Sequence, residues 1–191
     1  MAFNSSFTRM AICSDNAALK NLRGVIPTIS TPFEREDLFR MLETVAETNR
    51  GRLPQLAGLI VYSTEEAIIR GRMVPELCAH GLQVTPLRYR LKPDEEATLA
   101  HFHAVAEGTG LPMLIYIFIP YNYLSPALLL RIMREVPGLV SVQWGSDDLK
   151  LLAELILQAR PQDVIFAAID ALLYPPNSQK GFLAAEGPLT A

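Results

Sequence analysis

"LVSVQWGSDD", residues 139–148, climbs as an apolar strand, turns polar at Gln143, and passes through Trp144 and Gly145 towards a helix whose cap is read as Ser146 or Asp147. Turns of this kind hold the chemistry of α/β proteins, because side chains at the carboxyl ends of buried strands converge on one opening. This turn offers an amide and an indole, and no acid, base or nucleophile. Working outward, the same grammar recurs along the chain as a short apolar run followed by a segment of helical period. The runs are "GVIPTIS" (24–30), "LPQLAGLIV" (53–61), "LQVTPL" (82–87), "PMLIYIFI" (112–119), "LVSVQW" (139–144) and "VIFAAI" (164–169). Apolar on both faces, they suit parallel strands buried beneath helices.

Caps mark the intervening helices. "STEEAIIRGRMVPELCA" opens with Ser63 or Thr64 and early glutamates, and "KPDEEATLAHFHAVAEG" offers Pro93 as a first-turn residue followed by Asp94, Glu95 and Glu96. Leu99, Phe102, Val105 and Ala106 share a face of the second, and Leu149, Leu152, Ala153 and Ile156 form the stripe of "SDDLKLLAELILQAR". Pro75 should kink or shorten the helix that begins near Ser63. A β–α repeat of about 28 residues implies a parallel sheet, since parallel neighbours need a crossover. Six strands favour an open doubly wound sheet over a (β/α)₈ barrel, which needs eight strands and about 250 residues. Yet "TPFERE" after the first run carries neither a Gly-rich phosphate loop nor a P-loop lysine, so nucleotide binding has no support.

Composition sets the outer limits. The chain has 191 residues, half of them apolar, with a formal charge of −3. That suffices for one domain with a core and provides no basic field for nucleic acid or acidic membranes. Cys13 and Cys78 follow no metal or redox spacing and are read as structural thiols of a reducing, cytoplasmic compartment. No apolar run reaches the roughly 18 residues of a membrane span.

In their order and spacing, "GVIPTISTPF", "GRLPQLAG" with "STEEAI", "GLQVTPLRY", "LPMLIY", "IPYNYLSPALLLRIMREVPGLVSVQW" and "DDLKLLAEL" resemble the dihydrodipicolinate synthase and N-acetylneuraminate lyase family of pyruvate-dependent barrel aldolases. The likeness runs from Gly24 to about Leu173, apart from one break, and replaces the open-sheet expectation with an incomplete (β/α)₈ TIM-barrel-like fold of about six parallel strands. The expected organisation is an N-terminal arm at 1–22, a partial barrel at 23–174 and an irregular tail at 175–191.

The resemblance implies a lysine near the end of the sixth barrel strand that forms a Schiff base with pyruvate or another 2-oxo acid. It also implies a relay tyrosine one strand earlier, a further tyrosine lent by a neighbouring subunit, and a carboxylate-holding Thr-Thr pair in a G-T-T-G-E turn. Carried over, Tyr116 takes the relay place, Tyr89 resembles the shared tyrosine, and Gln143 stands in the lysine column. The family's Y-N-x-P is altered here to Y-I-F-I-P, with Pro120 one place later. An amide nitrogen delocalises its lone pair into the carbonyl and cannot condense with a ketone, so imine catalysis is lost. The four lysines, Lys20, Lys92, Lys150 and Lys180, all fall outside the strand runs, and Lys150 is expected on the outside of the barrel.

The break follows "TPF": Phe33 passes directly to "EREDLFRMLETVAETNRGRLP", and the strand bearing the Thr-Thr turn is missing together with a helix. "YSTEE" at 62–66 imitates that turn only superficially, and Ser63 and Thr64 are read as helix caps. The family pattern also continues beyond Asp170, whose place resembles its G-x-D, further than "NSQKGFLAAEGPLTA" provides.

Among other polar residues, His101 and His103 point in different directions from one helix and cannot pair on a metal. His80 is read as a helix-end cap, Asp147 and Asp148 as caps before a carboxylate pair, and Trp144 as pocket floor or core. No cofactor and no metal are expected. A degenerate aldolase homologue without Schiff-base activity is the leading functional expectation. Beside it stands a non-catalytic assembly or binding module pairing with an intact homologue, and behind both an imine-independent hydro-lyase using Tyr116. The partners expected are a 2-oxo acid such as pyruvate and a second chain in a homo-oligomer or a hetero-oligomer with a homologue.

Overall fold

The computed structural model describes residues 24–26, 34–87, 92–118, 122–167 and 181–183. Every apolar run read from the sequence contains a strand: β1 Gly24–Ile26, β2 Leu56–Leu59, β3 Gly81–Val84, β4 Met113–Ile117, β5 Leu139–Trp144 and β6 Ile165–Ala167. A seventh strand, β7 Gly181–Leu183, lies within the stretch expected to be irregular. It pairs with both β1 and β6, and three residues are too few to show a strand periodicity in sequence alone.

All seven strands among the described residues form one parallel sheet in the order β1-β7-β6-β5-β4-β3-β2. The order from β2 to β7 is sequential, as in a barrel wound strand by strand, and β1 joins beyond β7 as the first strand of a closing ring must. Among the described residues β1 and β2 nevertheless occupy opposite edges of the sheet, with a seam between them. The seam falls where the sequence places the missing strand and helix. The fold is therefore an incomplete (β/α)₈ barrel, whose described strands leave one gap between β1 and β2.

The described residues form five helices, and the caps expected for three of them need small corrections. Helix α1, Arg35–Asn49, buries Leu38, Leu42 and Ala46 at a spacing of four and carries Glu36 and Asp37 in its first turn. Helix α2, Thr64–Met73, is capped by Ser63, whose Oγ accepts from the Glu66 N–H at 3.1 Å, while Thr64 is its first helical residue. Pro75 shortens it as expected, into a 3₁₀ turn at Val74–Leu77. Helix α3, Glu95–Thr109, is capped by Asp94, which puts Pro93 outside the first turn. Helix α4, Pro126–Glu135, is capped by Ser125 with proline at its first position. Helix α5, Leu149–Gln158, is capped by Asp148, not by Ser146 or Asp147; Ser146 Oγ instead accepts the Asp148 N–H.

Strand alternation divides the buried side chains between two layers. Ala57, Leu59, Leu82, Val84, Met113, Ile115, Ile117, Val142, Trp144 and Ile165 face the helices and join Phe102, Val105, Leu129, Ile132 and Leu155 in the main core. Trp144 is thus core, with its indole nitrogen buried and lacking a hydrogen bond, and does not floor a pocket. On the opposite, inner face Leu114 and Phe166 pack with Leu56, Tyr116 and Val164. Cys78 is disulfide-bonded, which corrects its reading as a thiol.

Candidate functional site

The inner face of the sheet towards the carboxyl ends of the strands is the place where this architecture assembles its reacting groups. Gln143, the penultimate residue of β5, is 1% exposed and turned inward, because its neighbours Val142 and Trp144 face the helices. Tyr116 on β4 is its register partner and half-buried on the same face. The Tyr116 ring stacks on Phe118 with centroids 4.6 Å apart, a contact that fixes its plane. Sequence and structure therefore bring Tyr116 and Gln143 together. Tyr89 and Asp170 lie outside the described residues.

The residue that sequence reasoning missed is Gln83. It sits on β3 between the helix-facing Leu82 and Val84, and its Nε2 donates to Gln143 Oε1. The bond passes over β4, joining alternate strands in one interior layer while Leu56, Leu114 and Phe166, from β2, β4 and β6, form another. Layers built from alternate strands are how such barrels fill their interior. The available signal was a lone polar residue in the run "LQVTPL". Ser141 adds a hydroxyl to the inner face of β5, 1% exposed, with an Oγ that makes no hydrogen bond.

The inner side chains described here, Gln83, Tyr116, Ser141 and Gln143, carry no formal charge at neutral pH. Lys150 is the second residue of α5 and exposed. Lys92 is exposed and donates from Nζ to the Tyr123 carbonyl at 2.7 Å, which leaves it facing a loop backbone. Lys20 and Lys180 lie outside the described residues.

The histidines separate as expected. His101 is 2% exposed and shares a 2.9 Å hydrogen bond through Nδ1 with Thr64 Oγ1, whereas His103 is only half-buried. Burial pushes the His101 imidazole down to about 4, against a smaller opposing pull from the Thr85 backbone. His80 is no helix cap: its Nδ1 accepts the Gln55 N–H at 3.1 Å, tying β3 to the start of β2. Among the described residues no group of three or more histidine, cysteine, aspartate or glutamate side chains could hold a metal ion. Likewise no helix among them is long and apolar enough to cross a membrane.

With this geometry in view, comparison with known proteins gives a consistent family. The sequence model of the dihydrodipicolinate synthetase family matches residues 24–182. The 4-hydroxy-tetrahydrodipicolinate synthase of Bacillus subtilis is 30% identical over 172 residues, which cover 88% of this chain and 57% of that protein. The corresponding protein of Symbiobacterium thermophilum is 32% identical over 170 residues, covering 87% and 55%. Dihydrodipicolinate synthase from Aquifex aeolicus superposes with a TM-score of 0.74 at 21% identity, covering 88% of this chain and 60% of that one. The 2-keto 3-deoxygluconate aldolase of Picrophilus torridus superposes at 0.68 with 18% identity, covering 80% and 56%. This chain spans about half the length of the curated relatives it matches.

Proposed function

Because this chain belongs to the dihydrodipicolinate synthetase family, we propose that it is a 2-oxo acid aldolase or lyase scaffold without Schiff-base catalysis. The observation that carries the proposal is Gln143: a buried, inward-facing amide, already bonded to Gln83, in the column where the family resemblance implies an amine. Neither described lysine supplies a substitute, since Lys92 and Lys150 are both exposed. The seam supports the same reading, because among the described residues the strand due to carry the carboxylate-holding turn has no counterpart between β1 and β2. Any encounter with pyruvate is then non-covalent, with Tyr116 as the inner-face phenol nearest in register to the lost amine.

Incubation with pyruvate and borohydride followed by intact mass measurement tests this. The expected result is unmodified protein, and a reduced pyruvate adduct overturns the proposal. Gln143→Lys by itself should leave aldol cleavage and condensation undetectable, because the carboxylate site remains missing; activity from that single change contradicts the deletion.

A second reading is favoured by one specific observation, the two sheet edges at β1 and β2. Unpaired strand edges template association, so the chain could serve as an assembly module whose seam is completed by an intact homologue. Co-expression with such a homologue, followed by light scattering, should then yield a stable mixed oligomer. Two separately eluting species count against it.

A further inference from the structure

Helix α5 carries more apolar side chains than one buried face can use. Seven of the ten residues of Leu149–Gln158 are apolar, and a helix that is apolar on two sides needs cover on both. The core takes Leu152 and Leu155, which are buried, with Leu151 and Ile156 packed at its margin. Leu149 and Ala153, which periodicity placed on the buried stripe, turn away from it: Leu149 is 56% exposed, Ala153 is exposed, and Leu157 is 85% exposed. Spaced by four, Leu149, Ala153 and Leu157 form one ridge along the solvent side, flanked by the exposed Lys150 and Glu154.

We propose that this ridge is the contact face for a second copy of the chain, packed as an antiparallel pair of α5 helices about a two-fold axis beside Ala153. The order of residues along the ridge is self-complementary, which is what a two-fold interface demands. Leu149 and Leu157 lie equally far on either side of Ala153, so Leu149 of each copy meets the partner's Leu157. A ridge of period four packs into the grooves of a like ridge at about −50°, and the small Ala153 at the crossing lets the axes approach to about 8 Å. Charge selects the same partner. Lys150 precedes Ala153 by three residues and Glu154 follows it by one. The two-fold axis therefore sets Lys150 on the same flank as the partner's Glu154, offset by about 3 Å along the helix. Two such ion pairs close the contact, one on either side of the crossing.

The contact is small. Ten residues make a helix about 15 Å long, well short of what the roughly 800 Å² per partner of a standard interface requires, which places the pair among weak, reversible dimers. It is also separate from the seam, because α5 joins β5 to β6 in the middle of the sheet order while the seam lies between β1 and β2. Assembly with a homologue at the seam and pairing of copies through α5 are therefore independent.

Sedimentation velocity of the full-length chain over a series from about 5 to about 500 µM should show monomer converting to dimer, with a dissociation constant on the order of 10–100 µM. Leu157→Asp should leave only monomer across the series while keeping the helical circular dichroism, since the side chain it replaces is 85% exposed. Lys150→Glu and Glu154→Lys should each weaken the dimer about five- to tenfold, and the double variant Lys150→Glu/Glu154→Lys should return it to within about twofold of the original. That rescue identifies a second copy in the antiparallel arrangement, because only a copy of this chain changes both charges in step. A chain that stays monomeric throughout overturns the proposal. So does a dimer indifferent to Leu157→Asp, or one in which the two charge reversals add instead of cancelling.

Discussion

Gln143 and Gln83 satisfy each other in a place from which water is largely excluded, and that mutual dependence has a measurable signature. Replacing Gln83 by leucine strands the Gln143 carbonyl oxygen in the interior and should cost about 1–3 kcal/mol, while replacing both glutamines by leucine should recover most of that loss. Denaturant titration of the two single variants and the double variant closes the cycle, and additive losses contradict the bond. His101 supplies a pH-dependent counterpart. Its folded pKa of about 4 lies below the ordinary 6.5, so the unfolded chain binds the proton more readily between those values. Its contribution is fully present above pH 6.5 and is lost as pH falls towards 4, on the order of 3 kcal/mol in total. His101→Leu should flatten stability against pH across that window, as followed by thermal unfolding.

At the scale of elements, the helices depend on caps and on two close approaches. Ser125 and Asp148 each accept a backbone N–H at the start of a helix, from Leu128 at 3.2 Å and from Leu151 at 3.0 Å. Alanine at either position should cost about 1 kcal/mol, read from the denaturation midpoint. Helices α2 and α3 meet where Gly71 faces Thr109 and Gly108 faces Ile68. A Cβ on Gly108 would stand 2.9 Å from both Ile68 Cγ1 and Cγ2, atoms near the branch point and unable to swing away together. Gly108→Ala should therefore destabilise by about 1–3 kcal/mol from overpacking, outweighing the roughly 1 kcal/mol that alanine gains in a helix. The same helix pair is joined to α1 through Glu66, which bonds both Arg70 and Arg35. The Arg70 hydrogen bond holds the Glu66 carboxyl below its ordinary range, burial opposes it, and Arg35 adds to the lowering.

For the whole molecule, the consequence of the seam is a sheet with two ends instead of a ring. Among the described residues, no strand pairs the outer edges of β1 and β2, and closure should be recoverable. Inserting a strand–helix unit of the B. subtilis relative between Phe33 and Glu34 is expected to raise the thermal midpoint and suppress exchange at Leu56–Leu59. An unchanged midpoint indicates that the borders cannot accept a strand. The insertion should not create imine chemistry, because Gln143 stays in place.

The repeating strands and helices, the helix starts to within a residue or two and the inner position of Tyr116 and Gln143 were legible in the sequence, because each depends on local periodicity or on chemistry within a few residues. The missing unit was legible too, as a break in an otherwise continuous family pattern. Three features waited for tertiary structure. Gln83 as the partner of Gln143 required knowing that β3 and β5 flank β4 and share an interior layer. His80 looked like a helix cap until β2 was placed beside β3, where its ring accepts the Gln55 N–H. β7 owes its place to pairing with β1 and β6, and a three-residue strand has too little periodicity to declare itself. Periodicity specifies which face of an element is buried; only the packed sheet decides which residues, distant in sequence, are brought within a hydrogen bond of one another.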